Sequence, residues 1–438
     1  MIQGSSVTTA PSASPTVAVV GSGPAGCYVS QFLAKRWPAA EVTVFEALPT
    51  PYGLIRYGVA ADHQGAKSVT RQFDRLFTRS GVRFAGNVTV GRDIAFQQIA
   101  NAFDVVVLAM GLPSDRGLDI PHHPNSRILG AGTLLRALNG YPARELPRDD
   151  ADRVVSLGRR ITVVGMGNVS VDVIRVLSKG AEHFAGSDID DDLLARLRVD
   201  TPLTFDVIGR SPVNEAKFDL AMMRELIGLP NLEVHVTGIG GGDDSPAAQL
   251  LRPFMAGAAP RSTAARGHQL NLHFELNPQR VDATNGLTVL HAGRRHDGQT
   301  VTFAADTLIT AIGFTHANGT ADGSPATWSG ANVYRVGWFS RGATGTIPEN
   351  RKDAQRVAEA IIDDVLSGRI PLAKNGFHDV EQLLEDRIVT FADWQRIETF
   401  ERGTARPNRC RQKLSSIEQM IAVAKTPART AATPMRAG

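Results

Sequence analysis

Apolar and polar positions along this chain trace one pattern twice. Residues 17–21 form a short apolar run ending in glycine, which predicts a buried strand. Residues 27–35 continue at helical spacing, and residues 41–46, Glu-Val-Thr-Val-Phe-Glu, alternate as a second strand does. Together they make a βαβ unit of about thirty residues, the size of a nucleotide-binding half. A turn-rich stretch follows at 49–63, then a predicted helix at 68–79 and strands at 82–85 and 104–110, the last closing on Gly111. The pattern restarts with a strand at 160–164, a glycine turn at 165–170, a helix at 171–179 and a strand at 204–208. The 144 positions between Gly21 and Gly165 suit a second domain, not a short-period repeat. Extended segments at 272–276, 287–290, 300–303 and 307–312 predict an antiparallel addition to that second domain. Beyond Asp353 the pattern is helical again, and 413–424 carries Leu414, Ile417, Met420, Ile421 and Ala424 at helical spacing.

Composition narrows the classes. A chain of 438 residues suits two or three domains, and its 42% hydrophobic content is ample for ordinary cores. No apolar run reaches the roughly 20 residues of a membrane span. A net charge of +3 gives no reason to expect a nucleic-acid partner. Cys27 and Cys410 stand far apart with no C-x-x-C, which excludes a cysteine metal cluster and a vicinal disulfide redox pair. A cytoplasmic location is the default. Residues 1–15, rich in Ser, Thr, Ala and Pro, read as a flexible arm without a secretory or transit signature, and 426–438 read as a flexible tail.

The two glycine turns carry the chemistry. In Gly21-Ser22-Gly23-Pro24-Ala25-Gly26, Gly21 permits the strand-to-helix turn, Gly23 lets a pyrophosphate approach the backbone, and Gly26 allows close helix–strand packing. The helix N-terminus adds unpaired N–H groups and a positive dipole end, and Pro24 suits a first-turn position. Glu46, twenty residues after Gly26, ends the next strand, where a carboxylate accepts from ribose hydroxyls. The second turn is Gly165-x-Gly167-x-x-Ser170, and the strand after it leads into Arg210, not an acid. An arginine there pairs with a 2′-phosphate, which favours NADPH over NADH. Two dinucleotides in one chain suggest a flavin and a nicotinamide held face to face.

Longer segments resemble the FAD-dependent adrenodoxin reductase-like ferredoxin–NADP(+) reductases. They are Leu48-Pro-Thr-Pro-Tyr-Gly-Leu-Ile-Arg-Tyr-Gly-Val59 with Asp62-His63; Phe84-Ala-Gly-Asn-Val88; Gly111 with Ser114-Asp115-Arg116; Gly165-Met-Gly-Asn-Val-Ser-Val-Asp172; Gly337-Trp338 with Arg341-Gly-Ala-Thr-Gly-Thr-Ile347; and the tail from Trp394 to Met420. The resemblance spans residues 16–425. It implies an α/β fold of two Rossmann-like domains: a discontinuous FAD-binding domain at 16–115 and 315–425, and an NADP-binding domain inserted at 116–314. It implies FAD positions at Ala25, Gly26, Glu46, Gly53, Leu54, Val88 and Gly111, with Trp338, Gly345, Thr346 and Ile347 returning to the flavin ring. Gly345 is expected to leave room for a nicotinamide. It implies NADP positions at Arg116, Asn168, Val169 and Arg210, and a histidine near the flavin at His63, either a proton partner of the redox centre or a structural residue bonded to a carbonyl.

This chain also departs from the family pattern. Gly209 stands where a first arginine is usual, Met222 where a glutamate is usual, Ala343 where a proline is usual, and Pro348-Glu349 precede Asn350. The activity implied is hydride transfer from NADPH to FAD and single-electron delivery to a ferredoxin, a flavodoxin or another small acidic electron-transfer protein. NADPH preference is expected to be weaker than in relatives with two arginines. Arg224, Arg252, Arg261 and Arg266 are candidates for a basic docking surface. A flavin monooxygenase is the competing enzyme class, but Phe84-Ala-Gly86 is followed by Val90 where its motif histidine would stand. A non-catalytic FAD-binding interaction module is the other alternative, resting on Gly209 and Met222.

Overall fold

The computed structural model describes residues 14–143, 145–255, 267–316 and 324–426. The expected N-terminal arm lies almost wholly outside the described residues, as does the tail beyond Thr426.

Two parallel sheets dominate. The first runs, edge to edge, Val333–Arg335, Val105–Leu108, Thr16–Val20, Glu41–Phe45 and Arg83–Ala85. The second runs Ile128–Gly130, Thr307–Thr310, Arg160–Val164, Thr204–Ile208, His268–His273 and Leu232–Thr237. In each, the first strand of the glycine-turn βαβ unit sits inside the sheet with strands on both sides, although in the second sheet the edge strand Ile128–Gly130 precedes it in the chain. That reversal creates a crevice at the carboxyl end of the central strand, where ligands of such folds bind. The apolar runs are explained by cover on both faces: Val17, Val19, Val105 and Val107 are fully buried, as are Val163, Phe205 and Val207. Because parallel strands need long crossovers, helices Pro24–Arg36 and Asn168–Ser178 return the chain across the sheets.

The extended segments behave differently from expectation. Leu276–Thr284, Leu287–Arg294 and Thr300–Ala305 do form an antiparallel meander. The stretch 272–276, however, is two strand ends: His268–His273 belongs to the parallel sheet, and Glu275, at φ 58°, turns the chain into the meander. Thr307–Thr310, buried along its whole length, is likewise a parallel strand. A short buried strand carries no mark of its partner's direction, since that depends on what flanks it in space.

Helix boundaries shift for local reasons. The predicted helix from Asp353 begins at Ile347: Thr346 is its N-cap, its N–H donates to Glu349 Oε2 at 2.9 Å, and its hydroxyl bonds the same carboxylate. Pro348 therefore lies in a first turn, where a missing N–H costs nothing. The last helix starts at Ile417, not at 413, because Ser416 caps it and Leu414 N donates to Glu401 Oε1 at 3.0 Å. The turn-rich stretch contains a short helix, Leu54–Tyr57.

The tail packs back on that short helix. Trp394 is 1% exposed and meets Tyr52 edge-on. Arg56 pairs with the buried Glu401, while Lys67 and Lys413 both reach Asp188 of the second sheet's domain, at 2.8 and 3.0 Å. Buried ion pairs of this kind fix geometry more than they add stability.

Candidate active site

The first glycine turn separates two reasons for a glycine. Gly21 has φ 107°, and a Cβ there would lie 2.6 Å from the Ala109 carbonyl oxygen; at Gly26 a Cβ would lie 2.0 Å from the Gly21 oxygen. Both positions are closed by protein backbone. Gly23 has an ordinary φ of −67°, and a Cβ there would meet no protein atom within 4 Å. The fold does not itself demand glycine at 23, whereas a pyrophosphate lying against the backbone does. Gly23 also N-caps helix Pro24–Arg36 without a side-chain acceptor, leaving first-turn N–H groups for an anion.

Glu46 leans over this turn. Its Oε2 accepts from Ser22 N at 3.0 Å and Ser22 Oγ at 2.6 Å, and its Oε1 accepts from Leu48 N at 3.1 Å. Ser22 Oγ in turn accepts from Tyr52 N at 3.2 Å. A Cβ on Gly53, at φ 48°, would come within 3.3 Å of Gly23 Cα, so the 49–53 turn packs directly on the glycine turn. Leu54 begins the helix beyond it, and Val88 N donates to the Glu46 carbonyl at 2.9 Å. Gly111, φ 66°, follows the neighbouring strand. The C-terminal return reaches the same place: a Cβ on Gly337 would meet Ala25 Cβ at 2.6 Å, and Gly337 N donates to Asp353 Oδ2 at 2.7 Å.

The second turn repeats the logic. Gly165 has φ 120° with the Ala311 oxygen 2.3 Å from a would-be Cβ, and Gly167 again meets nothing within 4 Å. Ser170, in place of a third glycine, clasps the turn: its Oγ accepts from Gly167 N at 3.1 Å and donates to Gly167 O at 2.6 Å. Asn168 Oδ1 accepts from Asp219 N at 2.6 Å, tying this turn to the start of helix Leu220–Ile227. Val169 packs partly buried on the core beneath. Arg210 stands exposed at the carboxyl end of the adjacent strand.

Where the chain passes between the sheets it does so twice, side by side. Ser114–Asp115 pairs antiparallel with Phe314–Thr315. Asp115 accepts from Gly132 N at 2.7 Å and Thr133 N at 2.8 Å, fastening the crossing to helix Ala131–Leu138. Arg116, exposed, donates its N–H to Gly313 O at 2.9 Å. Trp338 stacks on Phe314 at 5.6 Å and donates its indole N–H to Gly345 O at 3.3 Å. Gly345 has φ 83° and a would-be Cβ 2.8 Å from Glu349 Cβ, so the turn itself requires glycine there. Thr346 and Ile347 are the cap and first residue of the helix that follows.

A charged cluster joins the two halves elsewhere along the chain. Arg175, its side chain fully buried, donates to both oxygens of Asp62, to Asp172 Oδ1 at 2.7 Å and to Glu225 Oε1 at 3.2 Å. Lys179 reaches Asp62 at 2.8 Å and Glu225 at 2.7 Å. Burial pushes the Asp62 carboxyl up, but Arg175 and Lys179 outweigh it and hold it at about 2. Asp172 is pushed above the usual carboxylate range, burial being the main cause. His63 sits 3.9 Å from both Asp172 and Glu225, between carboxylates, not on a backbone carbonyl. Glu225 therefore belongs to an ion-pair network, and Met222 packs partly buried on the core. Nothing in the sequence marked Arg175 or Lys179, whose partner Asp62 is over a hundred positions away.

Two glycine turns at the crevices of two parallel sheets, coupled by a paired crossing, define an oxidoreductase class built on a flavin and a nicotinamide. The pyridine nucleotide-disulphide oxidoreductase family matches residues 15–198. Cindoxin reductase of Citrobacter braakii is 38% identical over 432 residues, covering 94% of this chain and 91% of the relative. NADPH-ferredoxin reductase FprA of Mycobacterium tuberculosis is 28% identical, covering 93% and 98%. The solved structure of that FprA in complex with NADPH superposes with a TM-score of 0.80 at 27% identity, covering 94% of this chain and 99% of the other. The chain belongs to the adrenodoxin reductase-like ferredoxin–NADP(+) reductase family, whose enzymes use FAD. The disulphide of the broader family has no counterpart here, since Cys27 is buried and both cysteines are free. Among the described residues no helix is long and apolar enough to cross a membrane.

Proposed function

We propose that the first glycine turn holds FAD and the second holds NADPH in an NADPH–ferredoxin reductase. FAD held by these residues would supply hydride acceptance from NADPH and one-electron release to an acceptor protein. The observation that carries this reading is the pair Gly23 and Gly167, positions where the fold requires no glycine but a pyrophosphate does.

Gly21, Gly23, Ala25 and Gly26 form the FAD cradle, with Glu46 oriented by Ser22 toward the ribose. Gly53, Leu54, Val88 and Gly111 wall the same crevice, and Trp338, Gly345, Thr346 and Ile347 close it from the C-terminal side. Gly165, Gly167, Asn168 and Val169 cradle NADPH, with Arg116 at the crossing and Arg210 at the adenosine end. His63, held between Asp172 and Glu225, is the polar group beside the junction. On this reading the FAD domain comprises 16–115 and 315–425, with the NADP domain at 116–314 between them. The acceptor is a ferredoxin, flavodoxin or similar small acidic protein, and the compartment is the cytoplasm. Of the basic docking candidates, Arg224 is exposed, Arg252 is engaged by the Asp243 carbonyl and Asp244, and Arg261 and Arg266 lie outside the described residues.

The test is anaerobic stopped-flow of the FAD-loaded protein. Bleaching by NADPH faster than by NADH, followed by reduction of an added ferredoxin, is expected. No bleaching by either nucleotide would refute the reading.

A further inference from the structure

A cavity of about 420 Å³ opens at the carboxyl end of strand Thr204–Ile208, beside the second glycine turn. Its polar walls are Arg210 and Ser211 from the end of that strand, and Asn277, Gln279, Arg294 and Arg295 from the antiparallel meander. None of the described residues lining it is acidic. The volume falls in the range of small-ligand sites.

The meander is not hung loosely over the strand end. Gly209 N donates to His273 O at 2.8 Å, and Leu276 N donates back to Gly209 O at 3.0 Å. Glu275 N donates to Ser211 O, and Arg295 N donates to Glu275 O at 3.0 Å. The backbone therefore carries Arg295 to the side of Arg210, and strand register sets Arg294 opposite Leu276. Gln279 is laid across Gly293, where a Cβ would lie 2.5 Å from its amide nitrogen.

The same geometry explains Gly209. A Cβ there would lie 3.3 Å from Met166 Cβ and 3.4 Å from Met166 Cε, so the glycine-turn methionine crowds the place of a first arginine. Arg294 and Arg295 bring cationic groups to the same spot from another element. Arg294 is 4.0 Å from Asp297, a contact long enough to be exchanged for a doubly charged phosphate.

We propose that the 2′-phosphate of NADPH is held by a composite pocket in which Arg294 and Arg295 of the meander act with Arg210 and replace the arginine missing at Gly209. This rests on the second glycine turn being the NADPH site. The pocket takes a phosphate monoester on a ribose, and the two meander arginines set selectivity for NADPH over NADH.

The experiment titrates the full-length, FAD-loaded protein with 2′,5′-ADP and with 5′-AMP, in the wild type, R294Q/R295Q, R294K/R295K and R210Q. All three arginines are exposed, so folding is not at stake. The wild type is expected to prefer 2′,5′-ADP. R294Q/R295Q is expected to shrink that preference by about 10- to 100-fold, the worth of one to two charged hydrogen bonds, and R294K/R295K to recover part of it. If R210Q abolishes the preference while R294Q/R295Q retains it in full, the composite pocket is wrong and the NADPH reading stands. If the wild type shows no preference, the failure lies in the NADPH reading, and the pocket falls with it.

Discussion

Asp62 makes a sharp test, because one carboxylate from the first half meets Arg175 on the helix that follows the second glycine turn and Lys179 at that helix's C-cap. Asp62→Asn keeps the shape and removes the charge. Breaking a buried pair outright costs about 3–5 kcal/mol. Here Arg175 keeps Asp172 and Glu225, and Lys179 keeps Glu225, so the loss should be smaller. Proton linkage gives an independent figure. The Asp62 pKa moves from 3.8 to about 2 on folding, and at 1.36 kcal/mol per unit that is roughly 2.4 kcal/mol. The folded-state pKa is depressed, so this stability is complete above the unfolded pKa and fades as pH falls through 4 toward 2. About half should remain at pH 3. Urea unfolding of wild type and Asp62→Asn at pH 7 and pH 3 measures it. The expected difference is about 2 kcal/mol at pH 7 and about 1 kcal/mol at pH 3. A loosened junction should also slow flavin reduction by NADPH, by about tenfold if the two turns misalign by a fraction of an ångström. A difference below about 0.5 kcal/mol, the scale of an ordinary surface substitution, or one that grows as the pH drops, would refute the reasoning.

Other outcomes follow from the same geometry. Gly165→Ala, which forces a Cβ to 2.3 Å from the Ala311 oxygen at φ 120°, should destabilise the protein by about 2 kcal/mol or more, seen as a lower melting temperature without any nucleotide. Gly23→Ala should leave the FAD-free melting temperature unchanged, since no protein atom lies within 4 Å, yet weaken FAD binding by about tenfold or more; normal FAD affinity would sever Gly23 from the pyrophosphate. Thr346→Ala should cost less than about 1 kcal/mol, because it removes only the hydroxyl's bond to Glu349 while Glu349 Oε2 still accepts from the residue-346 N–H, measurable by denaturation. Cys27, buried and with its thiol pKa pushed up by burial, should resist a maleimide in the native protein while the half-exposed Cys410 reacts; mass spectrometry of the labelled peptides decides.

The sequence by itself determined the local parts. Alternation and glycine spacing were enough for the two βαβ units, because a strand, a tight turn and a helix within thirty residues are dictated by neighbours in the chain. The family-like segments from Leu48 and from Trp338 identified the class, and the cysteine spacing ruled out disulfide chemistry. Tertiary structure decided what depends on distant partners. Strand direction at 268–273 and 307–310 was not legible, since a buried strand is apolar whichever way its neighbour runs. The start of helix Ile347–Leu366 was carried by Thr346 and Glu349, a local signal masked by Pro348. Arg175 and Lys179 reach Asp62 only because two domains meet there, and Arg294 and Arg295 stand beside Arg210 only because the meander folds back on the strand end. Electrostatics acts through space, so charges separated by scores of residues acquire a shared role only once the fold has brought them together.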